Sequence, residues 1–285
     1  QLAALGSTPL ITFVLALPAC ALTYLLLYRR RALRPVALAL ALLIGLLTYG
    51  TYLSRKPDSG PTLRIATLAS DLHEGVSTEW EPIWADYRRA MEGVSAEGVD
   101  VFLLPEKIFQ TLPPDLPLLL AELTELSTAL DAVIVIGIDE RLDERAYNRA
   151  YFVAPDGRIE TYDKIHMIPG FEAHFEIGTE PLIVDYQGIE IAIAICKDLD
   201  FPHTMRTNHG ADLFLVPAWD FYDDDWFHSR MAMMRGIELG MPVARTARRG
   251  FLTFADSHGQ IHAEIPSNST DMALLIQDRP TATDS

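Results

Sequence analysis

Two uncharged apolar runs open the chain and constrain it more than any other feature: residues 9–28, "PLITFVLALPACALTYLLLY", and residues 35–53, "PVALALALLIGLLTYGTYL". At about 1.5 Å of rise per helical residue, each run would extend roughly 30 Å, the thickness of a bilayer's hydrocarbon core. A cleaved secretory signal would account for one such run but not for two in succession, so residues 1–56 are read as a membrane region with two transmembrane helices. Tyr24, Tyr28, Tyr49 and Tyr52 fall toward ends of the runs, at the depth where aromatic side chains meet lipid headgroups.

The loop between the runs, "RRRALR", carries Arg29, Arg30, Arg31 and Arg34, whereas only "SRK" follows the second. The positive-inside rule then places the arginine loop in the cytoplasm and everything from residue 57 onward on the other side. The expectation is a multi-pass inner-membrane protein with an extracytoplasmic, periplasmic domain. This orientation puts the N-terminus outside as well, and because the chain begins with Gln1 rather than Met, further membrane helices are expected upstream.

Six of the 23 basic residues and none of the 39 acidic ones lie within residues 1–56, so the remainder carries −22. A surface of that sign repels a phosphate backbone, which excludes nucleic acid as a partner. The only cysteines are Cys20, inside the first apolar run, and Cys196, which rules out a disulfide framework.

The linker-like "SRKPDSGP" (54–61) leads into a strand, "TLRIATLA". Trp80, Trp84, Tyr87, Met91 and Val94 then recur at helical spacing and form one apolar stripe. Strands are expected at "VDVFLL" (99–104), "AVIVIGI" (132–138), "PLIVDY", "IEIAIAI" and "DLFLVP", with a helix over 115–130. Another helix should follow "IEIAIAI", and a further one covers "WFHSRMAMMRGIELG", where Met231, Met234 and Ile237 read as its core face. "YNRAYFVAPDGRIETYDK" reads as a hairpin turning on Pro155, Asp156 and Gly157. Strands alternating with helices predict a layered α/β domain with mixed sheets over residues 57–277, followed by a polar tail at 278–285.

Three apolar strands deliver a reactive residue at or just beyond their ends: Glu106 in "LLPEK", Lys164 in "ETYDK" and Cys196 in "IAIAIC". Loops at strand ends converge over crevices in α/β sheets, and these residue types suit acyl transfer. A thiol attacks as the thiolate, so a carboxylate must take its proton, and attack on a carbonyl creates an oxyanion that an ammonium and a backbone N–H can hold. Singly, each residue is more simply explained as core or solvated surface; their order and spacing favour chemistry.

These motifs resemble the nitrilase, or carbon–nitrogen hydrolase, superfamily, through "LLPEK", "YNRAYFVAPDGRIETYDKIHMIPGFE", "AICKDLDFP", "VPAW" and "MMRGIELGMPVARTARRG", over about residues 60–277. The likeness is closest to its membrane branch, the apolipoprotein N-acyltransferases. It implies a nitrilase-like four-layer α-β-β-α sandwich, with Glu106 as general base, Lys164 as oxyanion-stabilising cation, Cys196 as nucleophile and Glu172 as a supporting carboxylate. It also implies a phospholipid acyl donor, a lipoprotein amine as acceptor, a thioester intermediate and no cofactor. The rival in the same superfamily is a membrane-tethered amidase or nitrilase acting on a small amide or nitrile; a binding protein that has lost turnover is a third class.

The chain departs from the membrane branch at Lys197, where an aromatic residue is usual, and at Lys107, where a small or neutral polar one is usual. It also carries Arg248 and Arg249 in place of asparagines, and the polar "DRPTATDS" where a last membrane helix would follow. Lys197 could lend its N–H and charge to the Cys196 sulfur or be a salt-bridged surface lysine beside Asp198 and Asp200. Trp219 and Phe221 are candidate substrate-binding residues in a loop also holding Tyr222, Trp226 and Phe227; packing of those aromatics into the core is the plainer expectation. No metal is expected, since no histidine pair has ligand spacing and neither HExxH nor CxxC occurs.

Overall fold

The computed structural model describes residues 2–73 and 75–282. It begins with helix α1 (Leu2–Tyr28), a four-residue 3-10 turn at Arg29–Ala32, and helix α2 (Leu33–Leu53), which packs against α1. The stretch Leu2–Leu53 is long and apolar enough to cross a membrane by length and composition. Its leucines are turned outward, with Leu15 74%, Leu26 70% and Leu38 73% exposed, an arrangement that costs free energy in water and suits lipid. The first helix was expected to begin at residue 9; it starts at Leu2 but is broken at Gly6 and Ser7, whose φ/ψ are not helical. Ser7 donates to Glu238 at 2.6 Å, tying the short leading turn to the α/β domain.

Beyond the linker come β1 (Thr62–Ala69), α3 (Trp80–Gly93), β2 (Val101–Leu103), β3 (Gln110–Thr111), α4 (Leu116–Leu130), β4 (Val133–Leu142), β5 (Arg145–Val153) and β6 (Ile159–Asp163). The second half holds β7 (Leu182–Tyr186), β8 (Ile189–Ile193), α5 (Pro202–Met205), β9 (Leu213–Trp219), α6 (Asp225–Leu239), β10 (Val243–Arg248), β11 (Phe251–Ala255), β12 (Ile261–Pro266) and β13 (Ala273–Pro280).

Two sheets result, ordered β13-β1-β2-β4-β5-β6, with β3 also on β4, and β12-β11-β10-β9-β8-β7. Each has three parallel strands at its centre (β1, β2, β4 and β8, β9, β10) and antiparallel strands at its margins. The period-2 alternation of the strands explains the layering. Leu63, Ile65, Val101, Leu103, Val133 and Val135 face the second sheet, within a core that continues through Ile191, Ile193, Leu213, Leu215 and Val243. Their neighbours Ala66, Leu68, Phe102, Leu104, Ile134 and Ile136 face α3 and α4, meeting Trp80, Trp84, Tyr87, Met91, Leu119 and Leu123. With α6 packed on β10 and β11, the layers run α-β-β-α.

Three expectations need correction. Residues after "IEIAIAI" form short turns, Cys196–Asp200 and Arg206–Asn208 around the four-residue α5, because Pro202 and the site geometry interrupt a longer helix. The buried face of α6 is Ser229, Ala232, Met233, Arg235 and Gly236, so Met231, Met234 and Ile237 flank it. Gly236 sets this rotation: a Cβ there would lie 2.5 Å from Val243 Cγ2, so the helix approaches β10 on its small side. Finally, Asp278, Arg279 and Pro280 are not tail but strand, because β13 pairs with β1 through Thr62↔Pro280. Residues 283–285 of the expected tail lie outside the described residues. Gly60 and Pro61 exchange backbone hydrogen bonds with Thr281, at 3.2 and 2.9 Å, so the domain closes where it opened.

Candidate active site

Glu106 and Cys196 follow central parallel strands of the two facing sheets, β2 and β8, and Lys164 follows β6. The three therefore converge where the sheets meet, as the sequence reading requires. Glu106 is held by close backbone packing: Gly137 on β4 runs beneath it, where a Cβ would stand 2.6 Å from Glu106 Cα and from Pro105 O. Only glycine allows that approach.

The Lys164 ammonium is fully buried and donates to Glu106 Oε1 at 2.8 Å and to Glu172 Oε2 at 2.7 Å. Lys107 donates to Glu172 Oε1 and stands 3.6 Å from Glu106 Oε1. Asn148 Nδ2 bridges the two carboxylates, at 2.6 Å from Glu106 Oε1 and 3.1 Å from Glu172 Oε1. Two ammoniums thus balance two carboxylates that are almost wholly buried, which is what makes such a cluster tolerable. All the Glu106 bonds fall on Oε1; among the described residues none falls on Oε2, which is left as the basic oxygen.

Burial opposes the Glu106 charge, but Lys164 and Lys107 outweigh it and hold the carboxyl well below its ordinary value. Burial likewise opposes the Lys164 charge, and Glu106, Cys196 and Glu172 together raise its pKa. The thiol of Cys196 is pushed up, by burial first and then by the Glu106 charge, so it rests protonated. It donates to Trp219 O at 3.6 Å. Cys196 itself has φ +41°, a left-handed conformation unusual for a non-glycine residue and typical of a constrained functional turn.

That turn is fixed by Asp198, to which the sequence reading assigned no role. Its carboxylate accepts from Tyr162 Oη at 2.8 Å, from the Ile165 and His166 N–H groups at 3.1 and 2.7 Å, and from Ile195 N–H at 3.2 Å. One buried side chain so couples the segment after Lys164 to the residue before Cys196. Burial pushes Asp198 up to about 6 despite these bonds. Asn148 was also missed, although it interrupts the apolar inward phase of β5, Ala146, Ala150 and Phe152, and that was a usable signal.

Glu172 lies within the cluster, accepting from both Lys164 and Lys107. Lys197 does not reach the sulfur with its charge: its ammonium pairs with Asp200 at 2.5 Å. Trp219 and Phe221 both wall a cavity of about 280 Å³, shared with Lys107, Glu172, Phe171 and Phe175. The expectation that the loop aromatics complete the core is overturned. Phe221 is 43%, Tyr222 52%, Trp226 58% and Phe227 55% exposed, because the acidic residues 223–225 keep the loop in solvent and the core beneath is already filled. Among the described residues, no cluster of three His, Cys, Asp or Glu side chains could hold a metal ion.

A half-buried thiol in a left-handed turn, beside a lysine–carboxylate cluster between two β-sheets flanked by helices, is an arrangement chemically suited to attack on carbonyl or nitrile carbon. The carbon-nitrogen hydrolase family model matches residues 63–281, and this chain belongs to that family. The chain is similar to apolipoprotein N-acyltransferases of Shewanella oneidensis (24% identity, covering 76% of this chain and 50% of the relative) and Vibrio vulnificus (25%, 94% and 60%). That of Pseudomonas putida is 26% identical, with coverages of 93% and 58%, so the chain spans about half to three fifths of these curated relatives. Among solved structures, it resembles a CN-hydrolase superfamily protein from Xanthomonas campestris (TM-score 0.64, 22% identity, 76% of this chain and 90% of that chain). An amidase from Nesterenkonia sp. gives a TM-score of 0.66 at 20% identity, covering 78% and 92%. These likenesses establish the shared fold.

Proposed function

We propose that this protein is a membrane-bound N-acyltransferase that moves a fatty acyl group from a phospholipid to the N-terminal amine of a lipoprotein through a thioester on Cys196. The observation that carries the reading is the union, in one chain, of the Cys196–Lys164–Glu106 site with the outward-facing apolar stretch Leu2–Leu53. The names of the curated relatives support it. So do Phe171, Phe221, Tyr222, Trp226 and Phe227, exposed side chains suited to apolar lipid chains.

In this reading Cys196 Sγ attacks the ester carbonyl while Glu106 Oε2 takes the thiol proton. Lys164 holds the developing oxyanion, aided by the Lys197 backbone N–H, and Glu172 positions Lys164. The proton passes from Glu106 to the departing alkoxide, leaving the thioester. Trp219 and Phe221 line the acyl side. The Arg29–Arg34 loop lies in the cytoplasm, which places the catalytic domain outside it.

One observation favours a second reading. A cavity of about 280 Å³ suits a small amide better than a long acyl chain, so a membrane-tethered amidase is the alternative. Intact-protein mass spectrometry of the detergent-purified chain after incubation with phospholipid tests both, beside Cys196→Ala. A hydroxylamine-sensitive fatty-acyl adduct absent from the variant supports the acyltransferase. No adduct with phospholipid, but a thioester from small amides, overturns it in favour of the tethered amidase.

A further inference from the structure

The cavity of about 280 Å³ adjoins the thiol, because Ile168, Trp219 and Phe221 wall both it and a narrower crevice that holds Cys196. A substrate whose carbonyl reaches the sulfur therefore has this cavity beside it. Its other walls include Phe171, Phe175, Asp139, Glu172 and Asp220. Aromatic faces set among carboxylates form a receptor for an ammonium ion.

That receptor is already filled by the chain itself. The Lys107 ammonium lies 5.5 Å from the ring centre of Phe175 and 5.5 Å from that of Trp219, and it donates to Glu172. Lys107 is 8% exposed, and its backbone is anchored too, since its carbonyl accepts from Arg248 at 3.0 Å. The other two carboxylates of the wall have partners of their own. Arg141 takes both oxygens of Asp139, at 2.8 and 3.0 Å, and Arg245 donates to Asp220 at 2.5 Å. Among the described residues, Lys107 is the one lysine or arginine in the cavity wall.

Taking that ammonium away would leave Glu106 and Glu172 with Lys164 alone, a net negative charge beside two aromatic rings. A cation on a substrate would be drawn into such a pocket; with Lys107 in place it meets a like charge instead. We propose that Lys107 is a built-in occupant of an ammonium site, and that it restricts the cavity to uncharged groups by excluding substrates with a cation near the carbonyl under attack. The aromatic walls then serve an alkyl chain or the side chain of a simple amide. This rests on the reading of Cys196 as the acylated residue, and it narrows the substrate class for the acyltransferase and the amidase alike.

Two p-nitrophenyl esters of equal shape test it, the neutral 5,5-dimethylhexanoate and the cationic 4-(trimethylammonio)butyrate. Release of p-nitrophenolate in the first turnover gives kcat/KM for each, and intact mass confirms the adduct on Cys196. Wild type is expected to favour the neutral ester, and Lys107→Met to swing the ratio toward the cationic one by about tenfold or more. Lys107→Arg, which keeps the charge, should keep the wild-type preference. Tetramethylammonium chloride should slow loading of the neutral ester in Lys107→Met, beyond the effect of equal sodium chloride, and leave wild type untouched; a merely structural lysine would give neither result. An unchanged ratio in Lys107→Met, with or without a general loss of rate, overturns the proposal while leaving the thioester reading intact. So does wild-type protein that loads both esters equally, a result that needs no variant to fold. Failure of wild type to load Cys196 from either ester overturns the thioester reading as well.

Discussion

The backbone of Gly137 lies directly beneath that of Glu106, so close that one added methyl group would stand 2.6 Å from the Glu106 Cα. Gly137→Ala must therefore move the carboxylate, although both residues are deeply buried and the substitution is chemically slight. A displacement of about 1 Å in a reacting group costs on the order of 10²-fold in rate. We expect Gly137→Ala to lose at least that much turnover while keeping its circular-dichroism spectrum; a variant with wild-type kinetics would show that Glu106 is not held by this contact.

Lys164 is a structural cation as well as a candidate catalyst. Lys164→Met strands Glu106 and Glu172 with one ammonium between them, and removing one member of a buried ion pair costs about 3–5 kcal/mol. Urea unfolding should show that loss, and adding Glu106→Gln to Lys164→Met should recover part of it. A double variant no more stable than Lys164→Met would mean that the two groups are not energetically coupled.

Asp198→Asn should be costly for a different reason. The carboxylate accepts four hydrogen bonds, and an amide would turn an N–H₂ toward donors it cannot satisfy. A loss of about 2–4 kcal/mol is expected, with reduced alkylation of Cys196 by iodoacetamide as its turn loosens. Unchanged stability and unchanged thiol reactivity would remove Asp198 from its positioning role.

The Glu106 cluster also makes an acid-side prediction. Its folded-state pKa is depressed, so as pH falls the unfolded chain takes up this proton first. The contribution is fully present above about 4.5 and is lost as pH falls toward about 2. Thermal unfolding across that window should show a shallower decline for Glu106→Gln than for wild type; parallel curves would contradict it.

The sequence made the strands legible because their side-chain alternation is local: "TLRIATLA" is β1 residue for residue. It also pointed to Glu106, Lys164 and Cys196, each announced by an apolar strand ending on a reactive group. What stayed hidden was the web joining them. Asp198 meets Tyr162 across 36 positions and Asn148 meets Glu106 across 42, and no local pattern encodes such pairings. The face of the last long helix was also misjudged: Met231, Met234 and Ile237 looked like a continuous stripe, but close packing at Gly236 turns the helix so that they flank its buried side.

The hydrogen bonds between Gly60, Pro61 and Thr281 have a mechanical meaning. Because the two chain ends of the catalytic domain leave side by side, α2 holds the domain at one corner, as a stalk holds a leaf. Among the described residues, the packing of α1 on α6, which includes the hydrogen bond from Ser7 to Glu238, fixes the domain against that corner. How far the mouth of the site tilts relative to α1 and α2 is thus governed by the packing between the leading helix and α6.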